Sequence, residues 1–263
     1  MKRTTIDQTD LSVSRIALGT ASLHHLKNSS NCQELLHAAH DSGITHFDTS
    51  PYYGYGLAER ELGKFLRGRR GDVTVASKIG LHSPGWTPAG RVGVLGRKIM
   101  GRVHTRFSAP RIDWTMRAVT ESLHRSLEYL QTDYLDLLLL HEPSPTLIDA
   151  ERILPWLESQ KAAGLIRWWG VAGPAERSHE WIQQHHPISQ VIQMHDTVAG
   201  ENDDVVRSIG RPIQFTYGYL RDAERGATGS DTMRLALQRN KTGSVLVSTR
   251  RVERISELAL VAE

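Results

Sequence analysis

Residues 43–66 read GITHFDTSPYYGYGLAERELGKFL, and their pattern decides the fold. Ile44 to Phe47 is a short run ending at an acid, Asp48. A polar, Pro- and Gly-bearing turn through Tyr52, Tyr53 and Tyr55 follows. From Leu57 to Leu66 the apolar residues return at helical spacing, so the unit reads strand, loop, helix. Working outward, the same unit recurs. Strands are expected at Arg15 to Leu18, Ile44 to Phe47, Val73 to Ser77, Asp136 to Leu140, Ile166 to Val171, Ser189 to Met194, Pro212 to Thr216 and Gly243 to Val247. Helices are expected at Cys32 to Ser42, Leu57 to Leu66, Asp113 to Leu130, Leu147 to Ala163, Ala175 to His185, Asp203 to Ile209, Asp231 to Asn240 and Val252 to Leu260. Asp113 and Asp231 read as N-caps, and Gly43 and Gly164 as helix stops. Val119, Leu123, Leu127 and Leu130 form a stripe suited to packing on a sheet.

Repeats of about 30 residues imply an α/β protein in which eight parallel strands close into a (β/α)8 TIM barrel. A doubly wound open sheet is the competing architecture. Extra strand material around Asp7 to Asp10 reads as an N-terminal β-hairpin closing the barrel floor. At 263 residues, 1–263 is expected to form a single barrel domain.

Composition narrows the functional classes. The 32 basic and 29 acidic residues are interspersed and leave a net charge of +3, which gives no reason to expect a nucleic-acid partner. No apolar stretch approaches the roughly 20 residues of a membrane span. A single cysteine, Cys32, leaves no intrachain disulfide, and no leader-like apolar run follows the N-terminus, so a cytoplasmic protein is expected. The 13 histidines include no HxH or HExxH spacing, which argues against a metal-dependent hydrolase. Oligomeric state is not legible.

Four polar residues fall at strand ends or just beyond: Asp48, Tyr53, Lys78 in VTVASKIG and His141 in LDLLLLHEP. In a parallel barrel, such positions converge on the C-terminal face, where barrels of this kind carry their chemistry. Taken singly, each has a bland reading: Asp48 as a turn cap, Tyr53 as packing, His141 as a satisfied polar group. Lysine is rarely buried without a partner, and the four together form a proton-transfer set. Tyr53 would be the acid and Lys78 the ammonium lowering its pKa, with Asp48 as counter-charge to the lysine and His141 orienting the reacting oxygen.

The runs GITHFDTSPYYGYGLAERELGKFL, VASKIG, SLHRSLEYLQTDYLDLLLLHEP and KAAGLIRWWGV resemble the aldo-keto reductase family from about Leu11 to Ile255. The resemblance implies an eight-stranded barrel and an NADPH (NADP+) cofactor, with NADH possible. It also implies reduction of a small-molecule aldehyde or ketone to an alcohol, or the reverse. Asp48, Tyr53, Lys78 and His141 match the family's catalytic residues. Cofactor residues carried over from the family are Gln193, Phe215 as the aromatic against the nicotinamide, and Ser248, Thr249, Arg250 and Arg254 at the phosphate end, where paired guanidinium donors favour phosphate. Of these, Arg254 matches the arginine on the adenosine 2′-phosphate, with Arg250 or Arg251 as accessory charges.

The sequence departs from the family at Ala172 and Gly173, where a serine and an asparagine usually hold the carboxamide, and at Leu258, where an asparagine often meets adenine. That departure keeps a second reading open, a nucleotide-binding regulatory protein with weak turnover. The segment Leu81 to Ile112 carries Arg91, Arg97, Lys98, Arg102, Arg106 and Arg111 with no acid before Ile112, plus Trp86. It reads as an overhanging loop that is either simply solvated or suited to an anionic carbonyl substrate. The short connection from Gly218 to Ser230 leaves little room for a cofactor clasp, so fast cofactor exchange is expected.

Overall fold

The computed structural model describes residues 1–82, 111–199, 204–208, 210–223 and 227–262. The N-terminal strands are β1 (Arg3–Thr5), β2 (Ser12–Ser14), β3 (Ile16–Gly19), β4 (His46–Asp48), β5 (Thr74–Ile79), β6 (Leu81–His82) and β7 (Arg111–Ile112). They are followed by β8 (Leu135–His141), β9 (Ile166–Gly173), β10 (Val191–His195), β11 (Phe215–Tyr217) and β12 (Ser244–Val247). β3, β4, β5, β8, β9, β10, β11 and β12 close into an all-parallel barrel. The closed barrel is therefore the architecture, and the open doubly wound sheet is excluded.

Period-two alternation sorts the strand side chains. In β8, Leu135, Leu138 and Leu140 join the layer between barrel and helices, while Leu137 and Leu139 face inward. Inward-facing Leu137, Leu139, Ala17, Ala76, Ala172, Val191, Phe215 and Leu246 form an inner core with Ile6, Leu11 and Val13 of the N-terminal segment. β1 and β2 pair antiparallel, Arg3 with Ser14, and this hairpin plugs the barrel at its floor. The hairpin is where the sequence placed it, but Asp7 to Asp10 is its turn rather than strand. Ile6 N–H donates to Leu11 O at 2.9 Å and Thr9 N–H to Ile6 O at 3.0 Å. Asp10 fastens the plug by accepting from Arg167 at 2.9 Å and from the Trp168 indole at 2.7 Å. Asp136 clamps the same end, accepting from Arg70 at 2.7 Å, Arg167 at 2.6 Å and Val75 N–H at 2.9 Å.

The helices are α1 (Ser29–Asp41), α2 (Leu57–Leu66), α3 (Met116–Leu130), α4 (Ala150–Ala162), α5 (Ala175–Gln183), α6 (Asp204–Ser208), α7 (Gly229–Arg239) and α8 (Val252–Ala259). Val119, Leu123, Leu127 and Leu130 of α3 are buried as their spacing requires. Two caps differ from expectation. α3 begins at Met116 with Thr115 accepting from Ala118 N–H, while Asp113 accepts from the Thr115 N–H and hydroxyl. α7 is capped by Thr228, and Asp231 lies in its first turn, exchanging hydrogen bonds with the Thr228 side chain. A threonine two residues after Asp113, and another three residues before Asp231, competes for the same cap, and local sequence does not rank the two. Gly43 and Gly164 end α1 and α4 in left-handed conformation, φ 84° and 75°.

β6 and β7 pair antiparallel, Leu81 with Ile112, so the ends of the basic segment form a two-stranded ribbon where a loop was expected. Residues 83–110, which include Trp86, Arg91, Arg97, Lys98, Arg102 and Arg106, lie outside the described residues. Arg111 is exposed and bonds Asp113 at 3.2 Å. Among the described residues, no helix is long and apolar enough to cross a membrane.

Candidate active site

The alternation that fills the barrel also builds its mouth. On five of the strands a polar residue comes two positions beyond an inward-facing side chain. His46 leads to Asp48 on β4, Ala76 to Lys78 on β5, Leu139 to His141 on β8, Val191 to Gln193 on β10 and Phe215 to Tyr217 on β11. Register carries them to a common level: Asp48 pairs with Ala76, Lys78 with Leu139, and His141 and Gln193 both pair with Ala172. Together with Tyr53, these side chains line one cavity of about 480 Å³ that extends past Gly173, Gly218, Leu246 and Val247 to Ser248. Asp48, Tyr53, Lys78 and His141 are thus brought together.

Lys78 is 2% exposed, and its ammonium donates to both Asp48 oxygens, at 2.6 and 2.7 Å, and to Thr49 O at 2.9 Å. Burial lowers its pKa from the ordinary lysine value, and the Asp48 carboxylate opposes that loss. The same carboxylate accepts from Gln193 Nε2 at 2.8 Å. Tyr53 lies beside the pair, its ring centroid 5.0 Å from the lysine nitrogen and 6.3 Å from the His141 ring, which stands edge-on to it.

Tyr53 departs from the expectation drawn from sequence. Its pKa is raised well above the ordinary tyrosine value, by burial first and by the Asp48 and Glu142 charges after it. The consequence is a hydroxyl that holds its proton at neutral pH. His141 has its pKa driven down to about 3 by burial and by Lys78, so its ring is neutral at any ordinary pH. Its Nδ1 lies 3.5 Å from the Ser50 hydroxyl. A neutral imidazole can donate a hydrogen bond to an acceptor oxygen without carrying charge into the cavity.

Phe215 does not reach the cavity. It is wholly buried one layer below, stacked on the His46 ring at 4.7 Å, and Tyr217 supplies the aromatic wall. The strand starts at Phe215 and ends at Tyr217, whereas the sequence reading ended it at Thr216, and that offset shifts the exposed aromatic by one layer. Ser248 lines the cavity, donating to Gly19 O at 3.0 Å. Thr249 is buried, its hydroxyl accepting from Arg251 N–H at 3.1 Å. α8 starts here with no side chain capping its N-terminus, and Arg250 and Arg251 are exposed around it with Arg254 half-buried. Leu258 is 1% exposed in the core between barrel and helices, and contributes apolar packing only.

Sequence reasoning missed Glu142, Tyr217, Leu220 and Arg221, all of which line the cavity. Glu142 was legible as the residue after the His141 strand end. Tyr217 ends β11 and Leu220 and Arg221 follow it, so these became visible only once the strand's true end was known. Glu59 was missed as well. It is buried behind β5, accepts from the Ser77 hydroxyl at 2.7 Å, and burial pushes its pKa up to about 7.

Barrel and mouth define a class: a parallel (β/α)8 protein with titratable side chains gathered at the C-terminal ends of its strands. Residues 15–203 match the model of the Aldo/keto reductase family, and the chain belongs to that family. It is 32% identical over 229 residues to the aldo-keto reductase YhdN of Bacillus subtilis (strain 168), a match covering 84% of this chain and 62% of that relative. The chain therefore spans about three-fifths of that relative's length. Among solved structures, a glycerol dehydrogenase of Gluconobacter oxydans superimposes with a TM-score of 0.75 at 19% identity, covering 98% of this chain and 89% of the other. An aldo-keto reductase of Klebsiella pneumoniae in complex with NADPH gives a TM-score of 0.69 at 20% identity, covering 100% and 90%. Those two likenesses concern the fold.

Proposed function

We propose that this protein is an NADPH-dependent oxidoreductase that reduces an aldehyde or ketone to an alcohol, or runs the reverse, with NADH as a second donor. One observation carries the reading: a proton-holding Tyr53, a neutral His141 and a Lys78–Asp48 pair share one cavity. A substrate oxygen held by the His141 ring and the Tyr53 hydroxyl would receive its proton from Tyr53. The Lys78 ammonium, 5.0 Å from the Tyr53 ring, would offset part of the charge that forms on the phenol in doing so. In the oxidation direction Tyr53 takes the proton back.

A nicotinamide cofactor, when bound, supplies the hydride. The residues present fit such a group at its phosphate end: Ser248, the uncapped start of α8 and Arg250, Arg251 and Arg254 offer N–H donors and guanidinium charge to phosphate. The carboxamide end is served differently from the family pattern. Ala172 and Gly173 bring no side-chain donor, and the Gln193 amide already donates to Asp48. Backbone groups of β9 and the Tyr217 ring remain for that task. The Klebsiella relative's complex with NADPH supports this choice of cofactor. The regulatory alternative draws on the same two substitutions, Ala172 and Gly173, and the experiment separates it.

NADPH oxidation with a reactive aldehyde is measured for wild type and Tyr53→Phe. Loss of the acid should lower kcat by about 10²- to 10⁴-fold with NADPH binding retained. Equal near-zero rates in both proteins, with tight NADPH binding, would refute the enzyme and favour the regulatory protein.

A further inference from the structure

Among the described residues, one charge in the cavity has no protein partner. Lys78 is taken by Asp48, and Arg221 by Asp222 at 3.0 Å and His195 at 2.8 Å. The Glu142 carboxylate lines the same cavity, and among the described residues it makes no hydrogen bond and no ion pair. Its field reaches the acid, since Glu142 raises the pKa of Tyr53 and also those of Tyr52 and Tyr217.

The position is built. Glu142 holds a left-handed conformation at φ 52°, which is strained for a non-glycine residue and persists only where surroundings enforce it. They do so here through its N–H, which donates to Ala172 O at 2.6 Å, and through Gly173 opposite. Gly173 has φ 147°, and a Cβ there would come within 3.1 Å of Glu142 Cγ and 3.2 Å of its Cα. The residue that removes a carboxamide donor from β9 thus makes room for the Glu142 side chain, and the two departures form one local arrangement.

We propose that Glu142 is a specificity-determining acceptor that selects small carbonyl compounds bearing a hydroxyl and turns away those bearing a carboxylate. An unpaired carboxylate in a partly desolvated cavity gains most from a substrate that donates to it, and charge-assisted hydrogen bonds are the stronger kind. A substrate anion there meets like charge in a low-dielectric site. This is opposite to the anionic preference that the basic 81–112 segment suggests by sequence. The proposal rests on the oxidoreductase reading and adds the substrate class.

The test uses three aldehydes of the same two-carbon size, each with NADPH: glycolaldehyde, acetaldehyde and glyoxylate. Wild type should favour glycolaldehyde over acetaldehyde in kcat/KM by on the order of tenfold to hundredfold, the range expected of a hydrogen bond to a charged group, with glyoxylate poorest. Glu142→Leu should bring the glycolaldehyde to acetaldehyde ratio near one. Glu142→Gln, which keeps an acceptor without the charge, should raise glyoxylate relative to acetaldehyde. Each ratio is taken within a single protein, so a general loss of folded enzyme leaves it unmoved. Turnover of acetaldehyde and glycolaldehyde at equal efficiency by wild type, or a hydroxyl preference that survives in Glu142→Leu, overturns the role of Glu142 and leaves the oxidoreductase reading standing. Absence of any turnover by wild type overturns both.

Discussion

Asp48→Asn removes one charge from the centre of the barrel mouth while keeping the side chain's shape. In the wild type Lys78 spends two of its three donors on Asp48, at 2.6 and 2.7 Å, and the third on Thr49 O at 2.9 Å, with both side chains buried. Depriving a buried ion pair of one partner costs about 3–5 kcal/mol. The protein can instead release the lysine proton. Doing so at pH 7 from an ordinary pKa of about 10.4 costs about 4.6 kcal/mol, at about 1.36 kcal/mol per unit. The two routes agree, so the variant should be about 3–5 kcal/mol less stable at neutral pH, less whatever hydrogen bond the asparagine oxygen recovers.

The sign of the pH dependence follows. Burial already lowers the Lys78 pKa in the folded protein, and removing Asp48 lowers it further. Between the lowered value and the ordinary one, the unfolded chain binds the extra proton, so stability rises with pH there. The penalty is complete below the folded pKa and disappears above the unfolded one. The gap between variant and wild type should therefore be widest near pH 7 and narrow toward pH 10, read by urea denaturation followed by far-ultraviolet circular dichroism. A gap below about 1 kcal/mol at neutral pH, or one that does not narrow, would refute the reasoning, since an exposed pair behaves that way.

Three further outcomes are expected. With the His141 pKa near 3, kcat/KM for carbonyl reduction should show no histidine inflection between pH 5 and 8; a limb near the ordinary histidine value that vanishes in His141→Asn would contradict the neutral-ring role. Phe215→Ala should cost about 3–5 kcal/mol of stability as a core truncation, while Tyr217→Ala should leave stability nearer wild type and weaken NADPH binding by fluorescence titration; the reverse pattern would return Phe215 to the cavity. Asp10→Ala at the barrel floor breaks a half-exposed ion pair and one indole hydrogen bond and should cost about 1–2 kcal/mol, whereas Asp136→Ala strands Arg70 and Arg167 and should cost about 3–5 kcal/mol; equal midpoints in denaturation of the two variants would argue against the clamp.

By itself the sequence determined what repeats locally. Short runs alternating with helical stripes specified strand and helix, and eight such units on one chain suggested a barrel, with the open doubly wound sheet left for the tertiary structure to exclude. The polar residue after each apolar run specified Asp48, Lys78 and His141 as strand-end residues, because period-two alternation along a strand is a property of the chain alone. Where the run is weakly bounded, as in RPIQFTYGYL, a one-residue error in the strand's end left the chosen aromatic in the core at Phe215 rather than at the mouth at Tyr217. The caps at Thr115 and Thr228 were lost to nearby aspartates for a similar reason.

Tertiary structure alone decided which charges meet. Sequence marked Lys78 as a charge needing a partner, and its pairing with Asp48 followed as foreseen. The strength of that pairing, the Gln193 amide turned to the same carboxylate and the burial that keeps Tyr53 protonated depend on desolvation by elements far apart in the chain. Glu142 shows the limit most plainly. Its neighbour in sequence is His141, but what makes it an unpartnered acceptor is the space Gly173 leaves on the next strand, and no local pattern encodes the distance between two strands.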